Sequence, residues 1–363
     1  MSNSGASRLQ HRSWRWLGRG LGLLLGTAVI VMLARLAGGI DWSAVGQALA
    51  GMSPRLLLAA TVMALASHLL YGCLELLARR YTSHHLPTLQ VLLIGTTSYA
   101  FNLSLGSVLG GLACRARLYT RQGLQGGRIA RIFTFSLVSN WLGYLLLAGV
   151  VFTVAPPELP PAWGLPELAS GGMRWLGLAL LGLTLLYLGL CARHGGRVLA
   201  FRQHLWQVPH LTMALAQVGI SVAHWASMGA LLALLLGGRA PYLQVLAVLL
   251  VAAVAGVLTH VPAGLGVLEA VFVVLLAHRL PATTVLAALV TYRLLFYLLP
   301  LVVGAAVFLR LEAGGLRRSD AGSAERAHTD PDAVCPKSEA CPNSGAKHQS
   351  QRRGHHRGGG GVG

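Results

Sequence analysis

Pro262, Gly264 and Gly266 interrupt an apolar stretch just before a carboxylate, Glu269, in the segment HVPAGLGVLEA (residues 260–270). Proline removes a backbone donor and glycine disfavours helix, so we do not expect a smooth helix through this segment. Backbone groups freed inside a bilayer must be buried in protein or face water, and a carboxylate at that depth is costly. The segment therefore predicts a broken membrane helix built around a functional site.

Two arginines in apolar surroundings are candidate partners of Glu269. Arg115 follows a second glycine-rich interruption, and Arg293 lies too deep in a later apolar stretch to reach the interface easily. An ion pair between Glu269 and one of these arginines has two possible roles: it stabilises the fold alone, or it forms part of a transport path. The sequence favours neither role. His260 could relay protons near neutral pH, although a structural histidine is the favoured interpretation.

Other chemistry finds little support in the residue pattern. The sequence shows no paired carboxylates and no nucleophile–base set, so a membrane enzyme that uses Glu269 and His260 is a weak alternative. The five cysteines match no strong metal signature. We expect no catalytic residue, no metal ion and no cofactor.

The composition places these residues in a membrane. Hydrophobic residues make up 54% of the chain and charged residues only 11%, whereas a soluble domain carries about 25% charged residues. The net charge of +18 comes almost entirely from arginines that flank apolar stretches. This placement is typical of a membrane protein that faces anionic headgroups, so we expect no nucleic-acid partner.

Six apolar stretches are long enough to span a bilayer as helices, which takes about 20 residues. They are residues 20–37, 56–77, 132–154, 175–192, 211–236 and 282–309. A first broken stretch (86–113) is interrupted at 102–111, and a second broken stretch (243–280) at the opening segment. Their arms of about 16–26 Å suit re-entrant hairpins. The sequence predicts an all-α polytopic membrane protein with about six full spans and two re-entrant hairpins.

The arginines predict the orientation of the chain. Residues 1–19 form a basic N-terminal segment, and arginines recur near residues 79–80, 115–131 and 193–202. Residues 155–172 contain two glutamates and no arginine. By the positive-inside rule both termini are cytoplasmic, the first hairpin enters from inside, and the second enters from outside.

This topology divides the membrane domain (20–309) into two halves with the same order of elements. Residues 20–154 and residues 155–309 each contain two spans, a hairpin and a further span, in opposite orientations. Each hairpin also has a glycine followed five residues later by a charge: Gly110 then Arg115, and Gly264 then Glu269. Inverted repeats with broken helices are typical of transporters. Pairs of short tilted spans, or a coincidence of boundaries, are the alternative.

Two polar regions flank or follow the membrane stretches. Arg117, Arg121, Arg128 and Arg131 lie in one densely charged segment. We expect them to contact anionic headgroups, each contributing about 1 kcal/mol, although fixing the topology could be their only role. Residues 310–363 are rich in glycine, serine and proline, which predicts a disordered cytoplasmic tail.

Several segments resemble the transmembrane region of lysylphosphatidylglycerol synthase/flippase proteins. They are residues 71–81, 98–124, 140–153, 260–273 and 291–301. The resemblance implies a bacterial inner-membrane protein that flips or handles phospholipids. The family motifs fall on Gly110, Gly111, Arg115, Pro262, Gly264, Gly266, Glu269 and Arg293. The synthases carry a soluble aminoacyl-transferase domain after the membrane part, and residues 310–363 are too short and polar for one. We therefore expect no enzyme activity.

The sequence thus predicts a protein that binds and flips an anionic phospholipid of the phosphatidylglycerol or cardiolipin class. The candidate path residues are Asn102, Arg115, His260, Glu269 and Arg293. The alternative is a membrane scaffold that does not transport lipid but presents it to a lipid-synthesising enzyme.

Overall fold

The computed structural model describes residues 51–158, 166–201, 204–259 and 262–328, together with Ser43, Gln47 and Ala50. The basic segment 1–19, the first predicted span (20–37) and His260 lie outside the described residues.

The described chain is almost entirely helical. The α-helices are α1 (Pro54–Thr82), α2 (Thr88–Leu105), α3 (Ala113–Arg121), α4 (Gly126–Val154), α5 (Pro166–His194), α6 (Leu211–Leu235), α7 (Tyr242–Thr259), α8 (Val267–Leu276), α9 (Ala282–Tyr292) and α10 (Leu299–His328). A first π-helix (Ser107–Leu112) precedes α3, a 3₁₀ turn (Pro262–Gly264) lies between α7 and α8, and a second π-helix (Arg293–Leu298) joins α9 to α10. An antiparallel hairpin, β1 (Val198–Phe201) and β2 (His204–Gln207), was not anticipated from the sequence.

Five helical segments in the described ranges are long and apolar enough to cross a membrane. They are Pro54–Thr82, Gly126–Val154, Gly171–His194, Leu211–Leu235 and Ala282–Ala313. Each coincides with one of the spans predicted from the sequence, so the prediction of an all-α polytopic membrane protein is confirmed. The shorter apolar helices Tyr242–Leu258 and Val267–Leu276 are the arms of the second broken stretch.

Both broken stretches are interrupted near the predicted positions. α2 ends at Leu105, and Gly106 then adopts a positive φ of 86° before the first π-helix. Between α7 and α8 the backbone reaches positive φ at Ala263 (57°), Gly264 (56°) and Gly266 (78°). A side chain at positive φ is unfavourable, so Ala263 stores strain that its surroundings must hold. Whether these stretches re-enter the membrane remains a prediction.

The last span was predicted as one helix, but it contains the second π-helix at its centre. Pro300, in the first turn of α10, has no N–H, and its ring would clash with the carbonyl four residues earlier in a regular helix. Winding the chain more widely over Arg293–Leu298 accommodates the proline. The wider turn also sets the direction of the Arg293 side chain.

α1 is the central helix and packs against α2, α4 and α6, while α4 packs against α5 and α6. α2 also contacts the 3₁₀ turn and the second π-helix, so the two broken stretches meet. Apolar side chains gain little from leaving lipid, so these contacts depend on small residues that let helices approach closely.

Gly110 marks the tightest of these approaches. A methyl group on Gly110 would overlap the backbone carbonyl of Phe101 on α2. Gly110→Ala is therefore expected to lower the thermal unfolding midpoint of the detergent-solubilised protein strongly, since backbone cannot give way as a side chain can. Gly189→Ala, where an added methyl group meets nothing within 4 Å, should leave the midpoint near that of the unaltered protein or slightly higher. Equal midpoints for the two variants would contradict this packing.

Segments predicted to lie on the same side of the membrane contact one another. On the predicted outer side, Glu158 bonds to Gln244 at the start of α7 and to Arg279 after α8. Both ends of the second broken stretch therefore reach one residue of the α4–α5 connection. On the predicted cytoplasmic side, the Tyr81 hydroxyl donates to the Gln207 carbonyl at 2.8 Å.

Candidate functional site

Glu269 and Arg293 form an ion pair across the second broken stretch. Glu269 is the third residue of α8, and it accepts a hydrogen bond from the Gly266 N–H at 2.8 Å. A carboxylate at this position caps the helix N-terminus and is favoured by the helix dipole. Arg293, the first residue of the second π-helix, donates from both Nε and Nη2 to this carboxylate, the latter at 2.9 Å.

The same guanidinium satisfies backbone groups that the break leaves free. Arg293 Nη1 donates to the Ala263 carbonyl at 3.0 Å, and Nη2 donates to the Gly264 carbonyl at 2.9 Å. These bonds hold the positive-φ conformation of Ala263 and supply partners to carbonyls that lack helical ones. The Arg293 side chain is 6% exposed and that of Glu269 is 21% exposed. The pair thus has one buried member and one member that reaches the protein surface.

Arg115 does not pair with Glu269. It pairs with Glu75 of α1, with Nε 3.0 Å from Oε1 and Nη2 3.0 Å from Oε2. The alternative that placed Arg115 opposite Glu269 is wrong, because α3 leads Arg115 back toward α1. Each broken stretch nevertheless has an ion pair, of opposite polarity: Arg115 directly follows the first stretch, and Glu269 lies in the second.

The Glu75 carboxylate is fully buried and fully bonded. Besides Arg115, it accepts from the Ser136 hydroxyl at 3.0 Å and from the Tyr119 hydroxyl at 3.2 Å. Both members of the pair are at most 1% exposed. The sequence did not identify Glu75 as the partner of Arg115. Forty residues separate it from Arg115, and no local spacing encodes that contact.

The predicted hairpin residues of the first stretch have a packing role. Gly110 lies against the backbone of Phe101, and a side chain on Gly111 would meet the Asn102 side chain. The Gly111 carbonyl accepts from Arg115 Nη1 at 3.3 Å. Asn102 therefore lies at the junction of α2 and the first π-helix, beside the turn that directs Arg115.

The arginines predicted to contact headgroups divide into two groups. Arg117 and Arg121 both bind the Glu312 carboxylate. Arg117 Nε lies 2.6 Å from Oε1, and Arg121 Nη2 lies 2.7 Å from Oε2. Arg128 and Arg131 are exposed, and neither has an ion-pair partner within the described part of the chain. Headgroup contact remains a prediction for these two. For Arg117 and Arg121 the structure shows a protein carboxylate in place of a headgroup.

Glu312 lies on α10, which runs from Leu299 to His328. The disordered tail from Arg310 onward stays a prediction. Residues 329–363 lie outside the described residues.

Of the other predicted site residues, Pro262 begins the 3₁₀ turn as the break requires. Among the described residues, no group of three or more histidine, cysteine or acidic side chains is arranged to bind a metal ion.

The exposed ion pair of Glu158 and Arg279, on the predicted outer side, should make the stability of the fold depend on pH. Hydrogen bonds from Arg279, and secondarily from Gln244 and His278, lower the pKa of Glu158 below its ordinary value of 4.5, although partial burial opposes this. Because the folded-state pKa is lowered, the stabilisation is present above about pH 4.5 and is lost as the pH falls through the folded-state pKa. Glu158 is 49% exposed, so we expect at most about 1 kcal/mol.

Unfolding midpoints measured between about pH 7 and pH 3 would check this expectation. The difference between the unaltered protein and Glu158→Gln should shrink toward zero at the acid end. A difference that stays constant over the range would show that Glu158 is not held by these bonds.

Comparison with known proteins gives a consistent result. The family model described as the lysylphosphatidylglycerol synthase TM region matches residues 21–304. The inner membrane protein YbhN of Escherichia coli is 43% identical over 304 residues, which cover 84% of this chain and 95% of that protein. The uncharacterized protein slr0712 of Synechocystis is 31% identical over 290 residues, or 78% of this chain and 88% of that protein.

The matched region contains both broken stretches and both ion pairs. With several membrane-spanning helices and an inner-membrane relative, the protein is a multi-pass bacterial inner-membrane protein. The chain belongs to the family of the lysylphosphatidylglycerol synthase transmembrane region.

Proposed function

We propose that this protein binds an anionic phospholipid, of the phosphatidylglycerol or cardiolipin class, and moves it across the inner membrane. The observation that carries the proposal is the Arg293 site. A nearly buried guanidinium lies at a helix break, and the carboxylate bound to it is partly exposed. Ionisable groups at such depth are rare and mark substrate pathways.

Glu269 occupies the position that a lipid phosphate would take. A guanidinium binds carboxylate and phosphate with the same two-pronged geometry. The N-terminus of α8, where Gly266 donates to Glu269, also favours an anion of either kind. A phospholipid that reaches the break can therefore displace Glu269 from Arg293, and Glu269 can displace the lipid again on release.

The arrangement of the broken stretches supports a path through the protein. Glu158 contacts both ends of the second stretch, as expected if that stretch enters and leaves the membrane on one side. α2 of the first stretch contacts the 3₁₀ turn of the second. The non-helical backbone of the second interruption thus packs against a helix of the first broken stretch, and transporters use broken helices of this kind at their substrate sites.

Reconstituted vesicles provide the test. The purified protein is expected to speed the movement of fluorescent phosphatidylglycerol between leaflets, measured by quenching from outside, and to move phosphatidylcholine more slowly. Glu269→Gln should weaken the competition for Arg293, so more phosphatidylglycerol should remain bound in native mass spectrometry while transport falls. Glu158→Gln, which alters an exposed pair, is the matched control and should behave like the unaltered protein.

Two results would count against transport. If the unaltered protein binds phosphatidylglycerol but never speeds its movement, the scaffold function is supported instead. If Glu269→Gln changes neither bound lipid nor transport, Glu269 does not compete with the lipid phosphate.

A further inference from the structure

A buried cluster of histidines and tyrosines lies between the two ion pairs. It consists of His68 and Tyr71 on α1, Tyr99 on α2 and His224 on α6, each at most 4% exposed. The Tyr71 and Tyr99 rings stack with centroids 3.7 Å apart, and the Tyr99 ring lies 5.2 Å from both imidazoles. Neither the packing of the spans nor the Arg293 site requires titratable groups here.

The hydrogen bonds of His224 fix its tautomer. Its Nδ1 lies 3.0 Å from the Ser67 carbonyl oxygen and 2.9 Å from the Ser67 hydroxyl. A carbonyl can only accept, so Nδ1 carries the proton and Nε2 accepts from the Tyr99 hydroxyl at 2.9 Å. His224 is therefore a satisfied neutral imidazole that positions Tyr99.

His68 has the same tautomer but an unfilled acceptor. Its Nδ1 lies 2.9 Å from the Ala64 carbonyl, so Nδ1 carries the proton and Nε2 presents a lone pair. This Nε2 is buried and has no protein hydrogen-bond partner among the described residues. Within the described part of the chain, the buried Tyr292 hydroxyl has no hydrogen-bond partner either. The free lone pair of His68 Nε2 can bind a proton.

Phe296 connects this histidine to the proposed lipid site. Its ring lies 4.7 Å from His68 on one side and stacks on Tyr292 at 5.1 Å. Phe296 and Arg293 belong to the same π-helix, so a change in the winding of that segment moves both. π-helical turns inside α-helices are frequent at functional sites.

The charged groups around His68 belong to the two ion pairs. The titratable groups next to His68 are Tyr99 from α2 and His224 from α6. Tyr71 stacks on Tyr99, and Tyr292 and Tyr297 both contact Phe296. Beyond them, Arg115 of the buried pair interacts with Tyr71, and Arg293 lies on the turn that carries Phe296. His68 thus lies between the two pairs, separated from each by aromatic rings.

We propose that His68 takes up a proton at Nε2 when an anionic lipid occupies Arg293, and that lipid and proton cross together. The inference rests on the proposed function. Displacing Glu269 by a lipid phosphate adds a negative charge to a low-dielectric region, and an imidazolium nearby offsets it. The proton enters and leaves by the same nitrogen, while Nδ1 keeps its bond to the Ala64 carbonyl. No other bond forms or breaks.

Proton uptake during lipid binding tests this directly. Short-chain phosphatidylglycerol is titrated into the detergent-solubilised protein by calorimetry in two buffers of different ionisation enthalpy. The difference in heat gives the protons bound per lipid, and we expect roughly one near neutral pH. His68→Asn keeps a donor for the Ala64 carbonyl but has no titratable nitrogen, so binding should persist with the uptake lost. His85→Gln, at an exposed histidine, is the control and should retain the uptake.

The outcomes separate this inference from the proposed function. Binding by the unaltered protein without proton uptake overturns the inference and leaves lipid binding intact. Uptake that persists in a folded His68→Asn variant also overturns it, since another group then takes the proton. Absence of any binding by the unaltered protein overturns the proposed function and this inference together.

Discussion

Arg115→Met is expected to lower the free energy of unfolding by about 3–5 kcal/mol, because it leaves the Glu75 carboxylate charged and unpaired in the protein interior. Arg115 donates three of the hydrogen bonds that Glu75 accepts, and both side chains are buried. The remaining donors, Ser136 and Tyr119, do not neutralise the charge. Denaturation in mixed micelles, followed by tryptophan fluorescence, measures the change.

The double variant Glu75→Leu with Arg115→Met tests whether the unpaired charge of Glu75 causes this loss of stability. Removing both charges should recover most of the stability, since apolar side chains of similar volume often replace a buried ion pair without cost. Arg279→Met breaks the exposed pair with Glu158 and should change the free energy by no more than about 1 kcal/mol. If Arg115→Met costs no more than Arg279→Met, the Glu75 pair is not held in the interior as described.

Arg293→Ala is expected to remove both lipid binding and transport. The side chain donates to the Glu269 carboxylate and to the carbonyls of Ala263 and Gly264. A hydrogen bond to a charged group contributes about 1.5–3 kcal/mol, so losing one such bond to a phosphate weakens binding at least about tenfold. Native mass spectrometry of bound phosphatidylglycerol and the vesicle assay measure the two effects.

Two further arginine variants make this result specific. Arg293→Lys keeps the charge but not the two-pronged donor geometry, so it should bind lipid more weakly than the unaltered protein and better than Arg293→Ala. Arg279→Ala, at an exposed arginine, should leave binding and transport unchanged. Full binding by an Arg293→Ala variant that remains folded would exclude Arg293 from the lipid site.

Structural features that depend only on neighbouring residues were predicted correctly from the sequence. Pro262, Gly264 and Gly266 break a helix wherever they occur, and the break lies where they predicted it. The spans followed from unbroken apolar length, which is a property of composition. The second π-helix was missed because Pro300 can be accommodated in several ways, and only the packing of the last span selects one.

The partners of the charged residues could not be predicted in the same way. Arg293 was correctly considered for Glu269, but Arg115 was an equal candidate, and Glu75 was not considered as the partner of Arg115. Glu312 showed the same difficulty, since no local spacing indicates its bonds to Arg117 and Arg121. The orphan nitrogen of His68 was likewise invisible, because it depends on which groups α2, α6 and the last span bring to that point.

The sequence by itself determined that this protein lies in a membrane, where its helices run and where two of them break, since hydrophobicity, proline and glycine act on their own neighbourhood. The tertiary structure alone decided which charges meet. It joined Glu75 to Arg115 and Glu269 to Arg293, because a buried charge must be paired with whatever the packed helices place within reach, over distances in sequence that no spacing encodes.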